Sequence, residues 1–178
     1  KETGAGISAE ESRKLEAAGA KGIDVSGAGG TSFAAVEFHR ATRRKNVFQR
    51  RLGDVFWDWG IPTAVSVVEV SQSVDLPVIA SGGIRGGEDV AKAMALGASL
   101  TSFAQPALQA AVQGVTETRG VLSLLMEELR TCMFLVGADS VEALRETPIV
   151  IAGKTAEWLR IRGFDTECYA RRGRSQNQ

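Results

Sequence analysis

The chain has 178 residues, 21 of them basic and 21 acidic, with a single histidine and two cysteines. That length suits one domain with a substantial core. The even charge argues against a nucleic acid or an anionic membrane as main partner, and no apolar run approaches the roughly 18–20 residues that span a bilayer. The opening Lys1-Glu2-Thr3-Gly4 is not a signal peptide. Cys132 and Cys168 have no metal-ligand spacing, so free thiols in a reducing cytoplasm are expected.

Strand and helix signals alternate along the chain. Ser8–Ala18 reads as a helix, with a serine cap, Glu10 and Glu11 in its first turn, and Gly19 as a stop. Gly22–Ser26 is a short strand ending in the loop Gly27-Ala28-Gly29-Gly30-Thr31. A basic, less regular stretch spans Arg40–Arg51, and Arg43-Arg44-Lys45 reads as a solvated face or a rim contact with another subunit. Val47–Trp59 carries Phe48, Leu52, Val55, Phe56 and Trp59 at helical spacing, and Trp57 and Trp59 are expected to pack rather than to stack on a ligand. Ile61–Val74 reads as an apolar helix opened by Pro62. Val78–Ser81 is a strand, Gly87–Leu96 a helix and Leu100–Ala104 the last strand. Beyond it the pattern is helical: Val121–Val136, strongly amphipathic, then Val141–Arg145 and Thr155–Arg162. Residues 164–178 read as a disordered tail, and Cys132 reads as core.

Strands separated by helices pair in parallel. The choice lies between an open doubly wound sheet and a (β/α)₈ barrel. Glycines at successive strand ends favour the barrel, whose phosphate site lies in the loops after strands 7 and 8. Only about four strand ends are visible, counting Lys1 as the stub of the first, whereas a barrel takes at least about 200 residues. The expected fold is therefore α/β: a (β/α)₈ TIM barrel of which residues 1–163 supply roughly the last four strand–helix units plus C-terminal helices.

The residues suited to chemistry sit at the strand ends. Gly82-Gly83-Ile84-Arg85 follows an apolar strand directly, so backbone amides can converge on an anion with Arg85 beside it. Coupled to Ala104-Gln105-Pro106 one helix and one strand later, it has the spacing of a barrel phosphate grip. Asp24 and Ser26 share the inward face of their strand, and the glycine-rich loop that follows offers amides and the Thr31 hydroxyl to polar ligand atoms. Lys1, taken alone, reads as a lysine in solvent; on a strand end it would point into the barrel mouth and stabilise an anion such as a reduced flavin. His39, away from every strand end, reads as a surface or packing residue. No metal site and no catalytic side chain can be assigned.

Several strings together resemble the type 2 isopentenyl-diphosphate Δ-isomerases: Lys1–Gly4, Ile23–Ser32, Asp58–Ala64 and Pro77–Arg85, then Asp89–Ala93, Ala95–Ala98 and Glu128–Arg130. The resemblance covers roughly residues 1–163. It implies an FMN-dependent enzyme that interconverts isopentenyl and dimethylallyl diphosphate, with NADPH reducing the flavin, reduced FMN moving the proton between carbons, and Mg²⁺ binding the diphosphate. It places flavin contacts on Lys1 at the ring, on Ser26 and Thr31 along the ribityl and phosphate side, and on Gly83, Ile84, Arg85, Ala104 and Gln105 at the phosphate. Many relatives carry a basic or apolar residue where Gln105 stands, a change that backbone contacts absorb. It also implies a cytoplasmic homotetramer or octamer whose substrate- and magnesium-binding residues lie upstream of Lys1.

Two other enzymes share parts of this pattern. An FMN-dependent 2-hydroxy-acid oxidase needs a histidine base at the strand end where Ser26-Gly27-Ala28 stands. An inosine-monophosphate-dehydrogenase-like enzyme needs a loop cysteine near the cofactor, and both cysteines lie elsewhere. A non-catalytic phosphate-binding half-barrel would leave open strand edges, which invite pairing.

Overall fold

Helix α1 (Ala9–Ala17) starts where the Ser8 hydroxyl accepts the Glu11 amide, as its cap pattern dictates. It leads into β1 (Ile23–Asp24), and three further helices separate β1 from its neighbour: α2 (Phe33–Arg43), α3 (Val47–Val55) and α4 (Thr63–Ser71). β2 (Val78–Ala80), α5 (Gly87–Ala95) and β3 (Leu100–Thr101) follow, and the chain ends in α6 (Gln105–Gln113), α7 (Val115–Val136), α8 (Val141–Arg145), α9 (Gly153–Ile161) and α10 (Glu167–Arg171). This computed structural model describes residues 1–173. The three strands form one parallel sheet in sequence order, with Ile23 opposite Val78 and Ile79 opposite Leu100. The protein is thus α/β with a short parallel sheet and helical crossovers, as the alternation predicts.

The segment before α1 runs beside β1, the Glu2 amide donating to the Asp24 carbonyl at 3.0 Å and the Gly6 amide to the Ser26 carbonyl at 3.1 Å, but it is not a strand of the sheet, which has three. The core is built where α4 crosses the sheet. Val65, Val67, Val68 and Val70 of α4 are fully buried with Ile23, Val25, Val78 and Ala80. Valine is a modest helix former, so α4 is held by packing rather than by propensity. Its polar residues are all satisfied: the Ser66 hydroxyl donates to the Ile7 carbonyl at 2.7 Å and accepts the Ile7 amide at 2.9 Å.

Several expected bounds shift. The irregular basic stretch is in its first half the end of α2, a regular helix capped by the Ser32 hydroxyl. The run to Trp59 stops at Val55; α3 packs on α2, where Gly53 lies against the backbone of Ala34 and Phe38, but Phe48 and Trp59 stay more than 70 % exposed. Trp57 packs edge-on against Phe38 and His39, which makes His39 a packing residue. The last strand ends at Thr101 rather than Ala104, because Ala104 caps α6, a helix the periodicity did not disclose. Helix α7 begins six residues earlier than expected, and Cys132 packs half-buried against the core.

The tail expectation fails for residues 164–173, and residues 174–178 lie outside the described residues. Helix α10 is anchored by Tyr169, which is 3 % exposed and donates to the Leu96 carbonyl at 3.2 Å. Arg172 stacks on its ring and donates to the carbonyls of Ala95 and Arg145. One aromatic residue amid polar ones gave too little periodicity to reveal this helix. Among the described residues, no helix is long and apolar enough to cross a membrane.

Candidate functional site

A cavity of about 510 Å³ opens at the carboxyl ends of the strands, within the roughly 300–1,000 Å³ of small-molecule sites. The sequence-predicted residues converge on it from four chain segments: Lys1 beside β1, Ser26 and Thr31 after β1, Gly83, Ile84 and Arg85 after β2, and Ala104 and Gln105 after β3. All eight line it. Phe33, Ser81, Ser102 and Phe103 are among the lining residues that the sequence did not single out. Polar Ser81 and Ser102 at the ends of apolar strands were the available signal for two of them.

The glycines of the site are required first by the protein itself. Gly82 and Gly83 adopt φ of +97° and +90°, and a Cβ on either would run into the backbone of Gly27 or Gly29. A Cβ on Gly30 would lie 2.8 Å from the Gly83 amide nitrogen. The loops after β1 and β2 therefore meet backbone to backbone, and only glycine permits that approach. Thr63, the first residue of α4, ties the junction: its hydroxyl donates to the Gly82 carbonyl at 2.5 Å. Arg85 bridges the same loops, donating to the Gly83 carbonyl at 3.0 Å and the Gly29 carbonyl at 3.4 Å.

This packing leaves donors over. Among the described residues, the amides of Gly83, Ile84, Ala104 and Gln105 donate to no protein acceptor. Ala104 and Gln105 open α6, a nine-residue helix without a side-chain cap and with Pro106 in its first turn. A helix N-terminus with free amides beside a glycine loop is suited to an anion. The lining residues include two cations, Lys1 and Arg85, and no carboxylate. This donor set fits the phosphate of FMN. The start of α5 is different: there the Glu128 carboxylate of α7 accepts the Gly87 amide at 2.6 Å, so that helix end is already filled.

At the opposite end of the cavity, the Lys1 ammonium donates to Asp24 Oδ2 at 2.7 Å. The loop behind Lys1 is shaped by Glu2, whose Oε2 accepts the amides of Gly4, Ala5 and Gly6 at 2.5, 2.6 and 3.1 Å. Partial burial works to raise the Glu2 pKa, but the Thr3, Gly4, Ala5 and Gly6 amides together outweigh it and hold the carboxyl below its ordinary value. The folded state thus binds the ionised form. Its contribution to stability is complete above the unfolded value of about 4.3 and is lost as pH falls through the lower folded value. Glu2→Gln is expected to flatten the acid limb of the urea midpoint below about pH 5; an unchanged acid limb refutes this role.

The description "FMN-dependent dehydrogenase" belongs to a family model that matches residues 6–151. The chain belongs to that family. Curated proteins similar to it include isopentenyl-diphosphate delta-isomerases: one from Methanothermobacter thermautotrophicus is 54 % identical over 172 residues, covering 97 % of this chain and 48 % of that protein. One from Pyrococcus furiosus is 51 % identical over 165 residues, 91 % of this chain and 41 % of that protein. The chain spans about half the length of the curated relatives it matches. Among solved structures, a mandelate oxidase with benzoyl-formic acid superposes with a TM-score of 0.58 at 35 % identity, covering 79 % of this chain and 36 % of that one. A lactate oxidase from Pediococcus acidilactici gives 0.59 at 26 % identity, covering 80 % and 34 %.

Proposed function

We propose that residues 1–163 form the last four strand–helix units of a (β/α)₈ barrel in an FMN-dependent isopentenyl-diphosphate Δ-isomerase. One observation carries this reading: unpartnered amides of the loop after β2 and of the α6 N-terminus share a carboxylate-free cavity with Lys1 and Arg85. The identity of about half to the isomerases supports this reaction over the others of the family. In this reading Gly83, Ile84, Ala104 and Gln105 bind the FMN phosphate through their amides, with Arg85 supplying charge. Ser26 and Thr31 hold the ribityl chain, and Lys1 faces the ring. When bound and reduced by NADPH, FMN supplies the group that exchanges a proton with the substrate carbons. The chain's own share is to fix the cofactor's position and the charge around it.

Magnesium is a different case. Among the described residues no group of three acidic, histidine or cysteine side chains is placed to hold a metal ion, and a Mg²⁺ bound through the substrate diphosphate needs only one or two protein carboxylates. We assign its ligands and the substrate-binding residues to the remainder of a longer enzyme, a cytoplasmic homotetramer or octamer. The protein carrying this chain, supplied with FMN, NADPH and Mg²⁺, is expected to convert isopentenyl to dimethylallyl diphosphate, followed by NMR of the allylic methyl groups. Oxidation of 2-hydroxy acids instead would sink the proposal and favour the oxidases that superpose on the fold. Against that second reading, the strand end holds Ser26-Gly27-Ala28, and the single histidine lies on α2, exposed and edge-on to Phe38 and Trp57.

A further inference from the structure

The carboxylate behind Lys1 has no role in the site as derived so far. Asp24 is 9 % exposed and sits on β1 below the cavity floor. Its Oδ2 accepts the Lys1 ammonium at 2.7 Å. Its Oδ1 accepts the Ser81 hydroxyl and, at 3.3 Å, the Ser26 amide. Lys1, Ser81 and Ser26 all line the cavity. Ser26 has φ of +36°, a left-handed conformation that a residue other than glycine adopts at a cost. The Asp24–Ser26 bond is an Asx turn, which stabilises such a backbone locally. One buried carboxylate thus orients three cavity residues, each from a different chain segment.

We propose that Asp24 is a positioning residue that sets the charge at the ring end of the cavity. The Lys1 side chain is 58 % exposed, and its ammonium is held at the floor by this single ion pair. The pair leaves that end nearly neutral, whereas Arg85 and the free amides make the other end positive. The cavity therefore suits a ligand with a fixed anion at one end and, at the other, a group that gains negative charge only transiently. An unpaired lysine would favour the charged form throughout; the Lys1–Asp24 pair moderates it. This inference rests on the flavin reading of the cavity, since a flavin ring gains negative charge on reduction.

The test is the two-electron midpoint potential of bound FMN in the protein that carries this chain. Asp24→Asn removes the carboxylate charge and is expected to favour reduced over oxidised flavin by at least tenfold, a positive shift of about 30 mV. Lys1→Met leaves Asp24 uncompensated and is expected to shift the potential the opposite way. The double variant, with both charges gone, returns close to the parent, and Asp24→Glu, which keeps the charge, stays near it. A structural role alone would not produce opposed shifts that cancel. Lys1 is largely exposed, so Lys1→Met reads the pair even where a change at Asp24 impairs folding. FMN bound by the parent with shifts below threefold, or with the same sign in both single variants, overturns the role of Asp24 alone. A parent that binds no FMN overturns the flavin reading and this inference with it.

Discussion

Gly83→Val is expected to weaken FMN binding by about a hundredfold or more, measured by quenching of flavin fluorescence on titration into the protein. Two effects add. At φ of +90° a β-branched residue is strained by roughly 1–3 kcal/mol. Its Cβ also collides with the carbonyl of Gly29, which cannot give way without moving the loop that carries Gly30 and Thr31. About 2.8 kcal/mol corresponds to a hundredfold, and the two effects together reach it. The collision is with protein backbone, so the loss arises from separation of the two loops rather than from a side chain filling the ligand's space. Gly19 separates the contributions: it has nearly the same φ, +93°, with nothing within 4 Å of an added Cβ. Gly19→Ala is expected to show the strain alone, as a small loss of stability with unchanged flavin affinity. Unchanged affinity in Gly83→Val would remove these loops from the flavin site.

The same glycine junction shows how far the sequence reaches. Gly82-Gly83 after an apolar strand, and Gly27–Thr31 after another, are visible as strand-end loops because local backbone chemistry marks them. What the sequence does not carry is that the two loops touch, since contact between loops more than 50 residues apart depends on the Ile23–Val78 register. All eight named residues line one cavity because strand ends in a parallel sheet lie on one edge, and that follows from topology alone. Ser81 and Thr63 were missed for a related reason. Each acts on a partner far along the chain, Asp24 and the Gly82 carbonyl, and a lone hydroxyl has no periodic signature.

Caps alone did not decide which helices were legible: α2 has a serine cap yet its second half read as irregular, whereas α5 has no side-chain cap and keeps almost its expected bounds. Helix α1, with a serine cap and a glycine stop, has almost its expected bounds. Helices α6 and α10 have no side-chain cap, and both escaped the sequence reading. The apolar spacing across Val47–Trp59 was real but suggested burial. The structure leaves Val47, Phe48, Val55 and Trp59 exposed, together with Leu108 and Val112 of α6 and Phe134 of α7. Apolar patterning reports what a helix face prefers, not whether its partner is present.

The largest loss of stability is expected from Arg162→Met. Glu69 lies on α4 with a side chain only 1 % exposed, and a carboxylate there requires compensation. It receives the Ala9 amide at 3.0 Å from the start of α1, the Trp158 indole at 3.3 Å from α9, and the Arg162 guanidinium at 3.1 and 3.2 Å. The bonds to Glu69, and then to Glu10, hold the guanidinium more firmly protonated than usual. Removing it strands a buried negative charge, a change that typically costs about 3–5 kcal/mol. Because Arg162 is itself partly exposed, the lower end is expected, a fall in Tm of roughly 6–12 °C. The second variant decides whether charge is the cause. Glu69→Gln in the Arg162→Met background removes the stranded charge, while the amide oxygen still accepts from Ala9 or Trp158. The double variant is therefore expected to melt above Arg162→Met alone. If it melts no higher, the loss comes from packing of the arginine stem between α1, α4 and α9, and Glu69 is not the charge around which these helices are joined.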